Sequence, residues 1–189
     1  MSSEADVSLT VTTAADMRAL GRSLATVLRA GDLLILSGGL GAGKTTLTQG
    51  IGAGLGVRGP VTSPTFVIAR VHPSLPADAA VGARAGLAGG PPLVHADAYR
   101  LGSALELDDL DLDADTASSV TVVEWGEGLA EGLSADRLEI AIETLPMGGA
   151  DPADPDDLAG DMPRTVRISS VGQRWEGIEL PLPGLADRL

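Results

Sequence analysis

The spacing of apolar residues changes several times along this 189-residue chain, and each change predicts a different element. Met17, Leu20, Leu24, Val27 and Leu28 recur at three- and four-residue steps, the period of an amphipathic helix. Thr12 or Thr13 is placed to cap its start, and Gly31 to end it. Leu33-Leu34-Ile35-Leu36 is unbroken apolar sequence and reads as a buried strand stopped by Gly38-Gly39. A second helical stretch runs from Lys44 to about Leu55, and Gly59-Pro60 punctuates the loop after it. Thr65 to Val71 reads as a second strand. Leu93 to Ala96, Val120 to Val123, Arg137 to Ile142 and Thr165 to Val171 are further strands. Strands mixed with helices predict an α/β domain, a mostly parallel sheet flanked by helices. Little helix separates the later strands, so antiparallel edge strands are expected.

Two stretches interrupt the pattern. Residues 72–92 are rich in Ala, Gly and Pro, and residues 145–163 contain five Asp and no base. Both read as mobile surface loops within one domain spanning residues 1–189. Composition then narrows the function classes. A hydrophobic fraction of 44% excludes a wholly disordered chain. The absence of Cys excludes disulfides and thiolate chemistry, and two His exclude a His-rich metal site. Met1 to Asp6 is polar and acidic, unlike a secretory leader. Leu33 to Leu36 is the longest clean apolar run, far below the ~20 residues that span a bilayer. A soluble, cytoplasmic protein is expected, with no membrane contact. With 26 acidic against 13 basic residues the formal charge is −13, and no basic face for RNA or DNA is visible. A basic protein partner suits such a surface better.

Gly38-Gly39-Leu40-Gly41-Ala42-Gly43-Lys44-Thr45 matches G-x-x-x-x-G-K-[ST]. A buried strand before it and a helix after it supply the context that the motif requires. Gly41 and Gly43 let the backbone curl so that N–H groups converge on phosphate oxygens at the helix start. Lys44 is expected to reach the β- and γ-phosphates, and Thr45 to offer its hydroxyl to Mg²⁺. Lys44 is also the chain's single lysine among thirteen basic residues. A compact ammonium fits inside a loop wrapped round phosphate where a broad guanidinium does not. With no second lysine, the guanine-reading Asn-Lys-x-Asp motif is impossible, which favours ATP over GTP.

A P-loop enzyme needs an acid at the end of a neighbouring strand to hold Mg²⁺ or its water. Asp97 follows Leu93-Val94-His95-Ala96, and Glu124 follows Val120-Thr121-Val122-Val123. Periodicity does not choose between them. The acid-rich run Glu106 to Asp115 starts like a calcium loop but has Ala114 and Val120 where Gly and Glu are needed. It reads as a half-buried surface segment. His95 is read first as a hydrogen-bonded structural residue, with a supporting or general-base role as the alternative. Trp175 is read as packing.

Taken together, LGAGKTT, SPTF, HADAYR and VVEWG resemble, in that order, the bacterial TsaE family, called YjeE in older usage. The resemblance covers roughly residues 15–143, with an echo from Thr165 to Trp175. It implies a P-loop NTPase-like fold and a weak ATPase using ATP and Mg²⁺. It further implies action with the TsaB–TsaD pair, which transfers threonylcarbamoyl to adenosine 37 of tRNAs reading ANN codons. The partners, not this chain, would then contact tRNA. By the same resemblance, Gly38 and Gly41 through Thr46 (Ala42, Gly43, Lys44 and Thr45 included) form the nucleotide loop. Thr65 senses the γ-phosphate, Glu124 is the Mg²⁺-side acid, and Asp97 is a metal or water-positioning residue. Lys44, Thr65, Asp97 and Glu124 are the expected catalytic set, with Thr45, Glu124 and Asp97 on the metal. Tyr99, Arg100 and Trp125 match signature residues beside the acids. One departure is Gly39, where many members have Asp, and the loops at 72–92 and 145–163 are longer than in compact members.

Two other readings use the same residues. A small-molecule kinase of the P-loop class would need several Arg to clamp its acceptor, and the 72–92 segment has only Arg84. A non-catalytic nucleotide switch would bind ATP and change only its affinity for a partner.

Overall fold

The computed structural model describes residues 5–64, 68–76, 89–108, 116–145 and 162–183. Among these, seven strands form one mixed sheet in the order β1-β7-β6-β2-β5-β4-β3. They are β1 (Ala5–Val11), β2 (Leu33–Gly38), β3 (Ala69–His72), β4 (Leu93–Asp97), β5 (Val120–Glu124), β6 (Arg137–Thr144) and β7 (Arg164–Val171). The central four, β6, β2, β5 and β4, are parallel. β7 on one side and β3 on the other run against this block, an antiparallel edge as the short later connections predict, and β1 pairs antiparallel with β7 at the outer edge. β1 is not among the predicted strands, although Val7, Leu9 and Val11 alternate with Ser8 and Thr10. The strand predicted from Thr65 is found at Ala69–His72, and residues 65–67 lie outside the described residues.

Helix α1 spans Ala14–Ala25. Thr13 caps it through a reciprocal box: its hydroxyl accepts from the Asp16 N–H at 3.0 Å, and the Asp16 carboxylate accepts from the Thr13 N–H at 3.2 Å. Gly31 does not end the helix. The Thr26 N–H and hydroxyl both bond the Ser23 carbonyl, and the Val27 N–H bonds Leu24, so the last turn tightens six residues earlier than expected. Gly31, at φ +92°, instead turns the chain into β2.

Helix α2 spans Lys44–Leu55, the limits predicted for it. Two of its glycines, Gly50 and Gly54, are explained by α1. A Cβ on Gly21 would collide with the Leu47 carbonyl, and one on Gly50 with the Arg18 backbone, so the two helices cross backbone to backbone. Both pack on the sheet face that carries Leu34, Leu36, Val122, Leu138, Ile140, Val166 and Ile168. The opposite face carries Leu33, Ile35, Val94, Ala96 and Val123, covered by Leu107 of the short helix α3 (Ala104–Asp108) and by Ala130.

The interruptions fall between strands. His72 belongs to β3 and is buried rather than part of a loop. The Leu145 N–H bonds the Pro163 carbonyl at 2.9 Å, closing the base of the β6–β7 connection. Residues 77–88, 109–115 and 146–161 lie outside the described residues. Among the described residues no helix is long and apolar enough to cross a membrane.

Candidate functional site

The glycine loop links the end of β2, the middle strand of the seven-stranded sheet, to α2. Gly38, Gly41 and Gly43 have φ of +138°, +74° and +112°, a backbone path that L side chains resist. Gly43 sits at the N-cap of α2, and no side chain caps that first turn. Its N–H groups therefore keep their capacity to hold an anion.

Lys44 is 4% exposed. Its ammonium donates to the carbonyls of Gly38 at 2.8 Å and Gly39 at 2.9 Å. It also stands 3.7 Å from the centroid of the Trp125 ring. Burial pushes the lysine below its ordinary pKa, and the nearby Glu124 and Asp97 carboxylates partly oppose that.

The Thr45 hydroxyl points to Glu124, 2.9 and 3.1 Å from its two carboxylate oxygens. Glu124 ends β5 and is opposite Asp97, the last residue of β4, in the parallel register. The two acids therefore stand side by side at the end of the sheet where the glycine loop lies. Both are buried. Asp97 Oδ1 accepts the Tyr99 N–H at 2.9 Å. Leu40, Gly41, Gly43, Lys44, Thr45 and Thr46 form one wall of a cleft of about 280 Å³. Ser63, Asp97, Glu124 and Trp125 form the other.

Trp125 has a left-handed φ of +60°, a strained state for an aromatic residue. Its N–H is held by the Leu36 carbonyl at 2.8 Å. Its ring packs on Tyr99 with centroids 5.0 Å apart. Tyr99 and Trp125 thus form a tilted aromatic pair beside the lysine, a role that the sequence did not assign to either ring.

His95 is hydrogen-bonded, as expected, and its partner is an acid of the site. Its Nε2 is 2.7 Å from Glu124 Oε1, with both side chains buried. One signal for this was legible: His95 and Asp97 are two residues apart on a strand and so share a face. Of the expected site residues, Gly41, Gly43, Lys44, Thr45, Thr46, Asp97 and Glu124 line the cleft, while Gly38 ends β2 and Ala42 packs into the core beneath the loop. Thr65 lies outside the described residues. Among those described, no three His, Cys, Asp or Glu side chains form a metal cage. A site of one hydroxyl and one or two carboxylates fits a Mg²⁺ ion that takes its remaining ligands from phosphate and water.

His72 lies beside this site, its ring 6.5 Å from that of His95. Burial, then the neighbouring His95 and Arg70, hold its pKa below the ordinary histidine value of 6.5. The folded protein thus binds a proton at His72 less readily than the unfolded chain, which protonates below about pH 6.5, so stability falls as pH drops through that point. Between about pH 7 and pH 5, the urea midpoint should fall further for wild type than for His72→Gln. Equal pH slopes for the two proteins would rule out this contribution.

A mixed sheet with a parallel centre, a glycine loop leading from it into a helix, and acids at the ends of β5 and β4 define a P-loop NTPase-like domain. Residues 11–148 match the family described as "Threonylcarbamoyl adenosine biosynthesis protein TsaE". A Streptomyces coelicolor protein named tRNA threonylcarbamoyladenosine biosynthesis protein TsaE is 55% identical over 160 residues, 84% of this chain and 93% of that protein. A Bacillus subtilis protein of the same name is 34% identical over 162 residues, 85% of this chain and 84% of that one. The crystal structure of Bacillus subtilis YdiB superposes with a TM-score of 0.63 at 27% identity, covering 93% of each chain. The chain belongs to the TsaE family.

Proposed function

We propose that this chain is a weak, Mg²⁺-dependent ATPase of cytoplasmic tRNA threonylcarbamoyladenosine biosynthesis, acting with the TsaB–TsaD pair. The observation that supports it most is the convergence of Lys44, Thr45, Asp97 and Glu124 on one cleft at the glycine loop. In this reading the N–H groups at the start of α2 and the Lys44 ammonium bind the phosphates. Lys44 exchanges its bonds to Gly38 and Gly39 for phosphate oxygens, and its positive charge offsets the charge of the transferred group. Thr45 and Glu124 hold the metal side, and bound Mg²⁺ would supply charge neutralisation between the phosphates. Asp97 orients the metal or the attacking water. Thr65 is assigned the sensing of the γ-phosphate. The −13 charge supports a protein that reaches tRNA through its partners.

ATP turnover measured with and without TsaB–TsaD tests this reading. The expected result is slow release of free phosphate, accelerated by the pair. No turnover under either condition, or a phosphorylated metabolite as product, would contradict it.

A further inference from the structure

The Glu124 carboxylate takes two side-chain donors. Thr45 reaches it from α2, and His95 from β4. Oε1 is shared by both, with His95 Nε2 at 2.7 Å and the Thr45 hydroxyl at 2.9 Å. A carboxylate accepts, so the contact places the histidine proton on Nε2. The backbone fixes this meeting. β4 and β5 are parallel and in register, so His95 sits one pleat below Asp97 and beside the strand that ends at Glu124.

The other ring nitrogen argues against a merely structural histidine. His95 Nδ1 is buried and has no hydrogen-bond partner among the described residues. A histidine kept for packing normally satisfies both nitrogens, and an apolar side chain would fill the same space without an unpaired polar atom. The ring's one recorded polar contact is with Glu124.

We infer that His95 is a positioning residue: its Nε2–H holds the Glu124 carboxylate turned toward Thr45, where the metal side of the site lies. This rests on the ATPase reading above. Without that donor, the Thr45 hydroxyl is the carboxylate's one remaining recorded side-chain contact, and the carboxylate is free to turn away from the metal side. Outer partners of this kind typically change metal affinity or activity by about 10- to 100-fold.

The test compares wild type with His95→Leu and His95→Gln, since the Gln amide can replace the Nε2–H donor. Three quantities are measured: ATP affinity without Mg²⁺, the gain in affinity on adding Mg²⁺, and turnover. For His95→Leu, the Mg²⁺-dependent gain and turnover should fall about 10- to 100-fold while Mg²⁺-free affinity stays near wild type. His95→Gln should recover most of the loss. Imidazole ¹⁵N spectra of the protein without nucleotide provide a readout independent of activity. They should show the Nε2–H tautomer, with a signal that moves in Glu124→Gln. Three outcomes would overturn the inference: Leu and Gln variants that behave alike, a loss spread equally over Mg²⁺-free binding, or a proton on Nδ1 instead. Wild type that binds no ATP would be recognised in the control and would remove the ATPase reading itself.

Discussion

Replacing Arg174 with Met is expected to cost about 3–5 kcal/mol of folding stability. Arg174 Nε donates to Asp32 Oδ1 at 2.9 Å, and Nη2 to Oδ2 at 3.0 Å, a two-pronged pair with side chains 9% and 3% exposed. Nη2 also bonds the Val27 carbonyl at 2.8 Å, and the Arg174 N–H bonds Asp136 at 3.1 Å. The pair thereby ties the turn after β7 to the segment between α1 and β2, 142 residues away in sequence. Met fills similar space but leaves the Asp32 carboxylate buried with the Arg29 N–H at 2.8 Å as its remaining recorded donor. Removing one partner is the costly case, because the other charge stays out of water. Thermal denaturation should show a fall of roughly 6–20 °C. The double variant Arg174→Met/Asp32→Asn should regain much of it. A loss below about 1 kcal/mol would mean that the pair behaves like an exposed one.

Gly50→Ala should destabilise the fold by about 3 kcal/mol or more, against the sign of helix propensity. Alanine in mid-helix normally gains about 0.5–1 kcal/mol over glycine. Here the added methyl would meet the Arg18 backbone, which cannot rotate away. Forcing packed elements apart typically costs 1–3 kcal/mol, and more where backbone must shift. Gly132 faces open space and makes the control, since Gly132→Ala should change the urea midpoint little. A neutral or stabilising Gly50→Ala would show that α1 and α2 do not cross as closely as described.

These two effects also mark where sequence reading stopped. The pattern gave β2, α2, β5 and the glycine loop because their signals are local: an apolar run, a helical repeat, a motif of fixed spacing. The antiparallel edges followed from connection length. β1 alternates clearly, yet it begins inside the polar, acidic opening of the chain and is not among the predicted strands. The end of α1 was assigned to Gly31 because glycine is the commonest stop, whereas hydrogen bonds to the Ser23 carbonyl terminate it earlier. Asp32 and Arg174 carry no local mark of each other. The need for glycine at Gly50 and Gly54 comes from α1, which packs against them and leaves no local mark in α2 itself. Within the site, Lys44, Thr45, Asp97 and Glu124 were legible from motif and strand ends. The His95–Glu124 contact depends on the parallel register of β4 and β5, and Trp125 over Lys44 on a left-handed φ that nothing in the sequence announces.

ATP binding by wild type and Lys44→Ala, measured calorimetrically with Mg²⁺ present, tests the central claim most directly. The account predicts saturable binding by wild type, and none detectable for a Lys44→Ala variant that melts as a folded protein. Wild type that fails to bind ATP, or a Lys44→Ala variant that binds it equally well, would contradict the account.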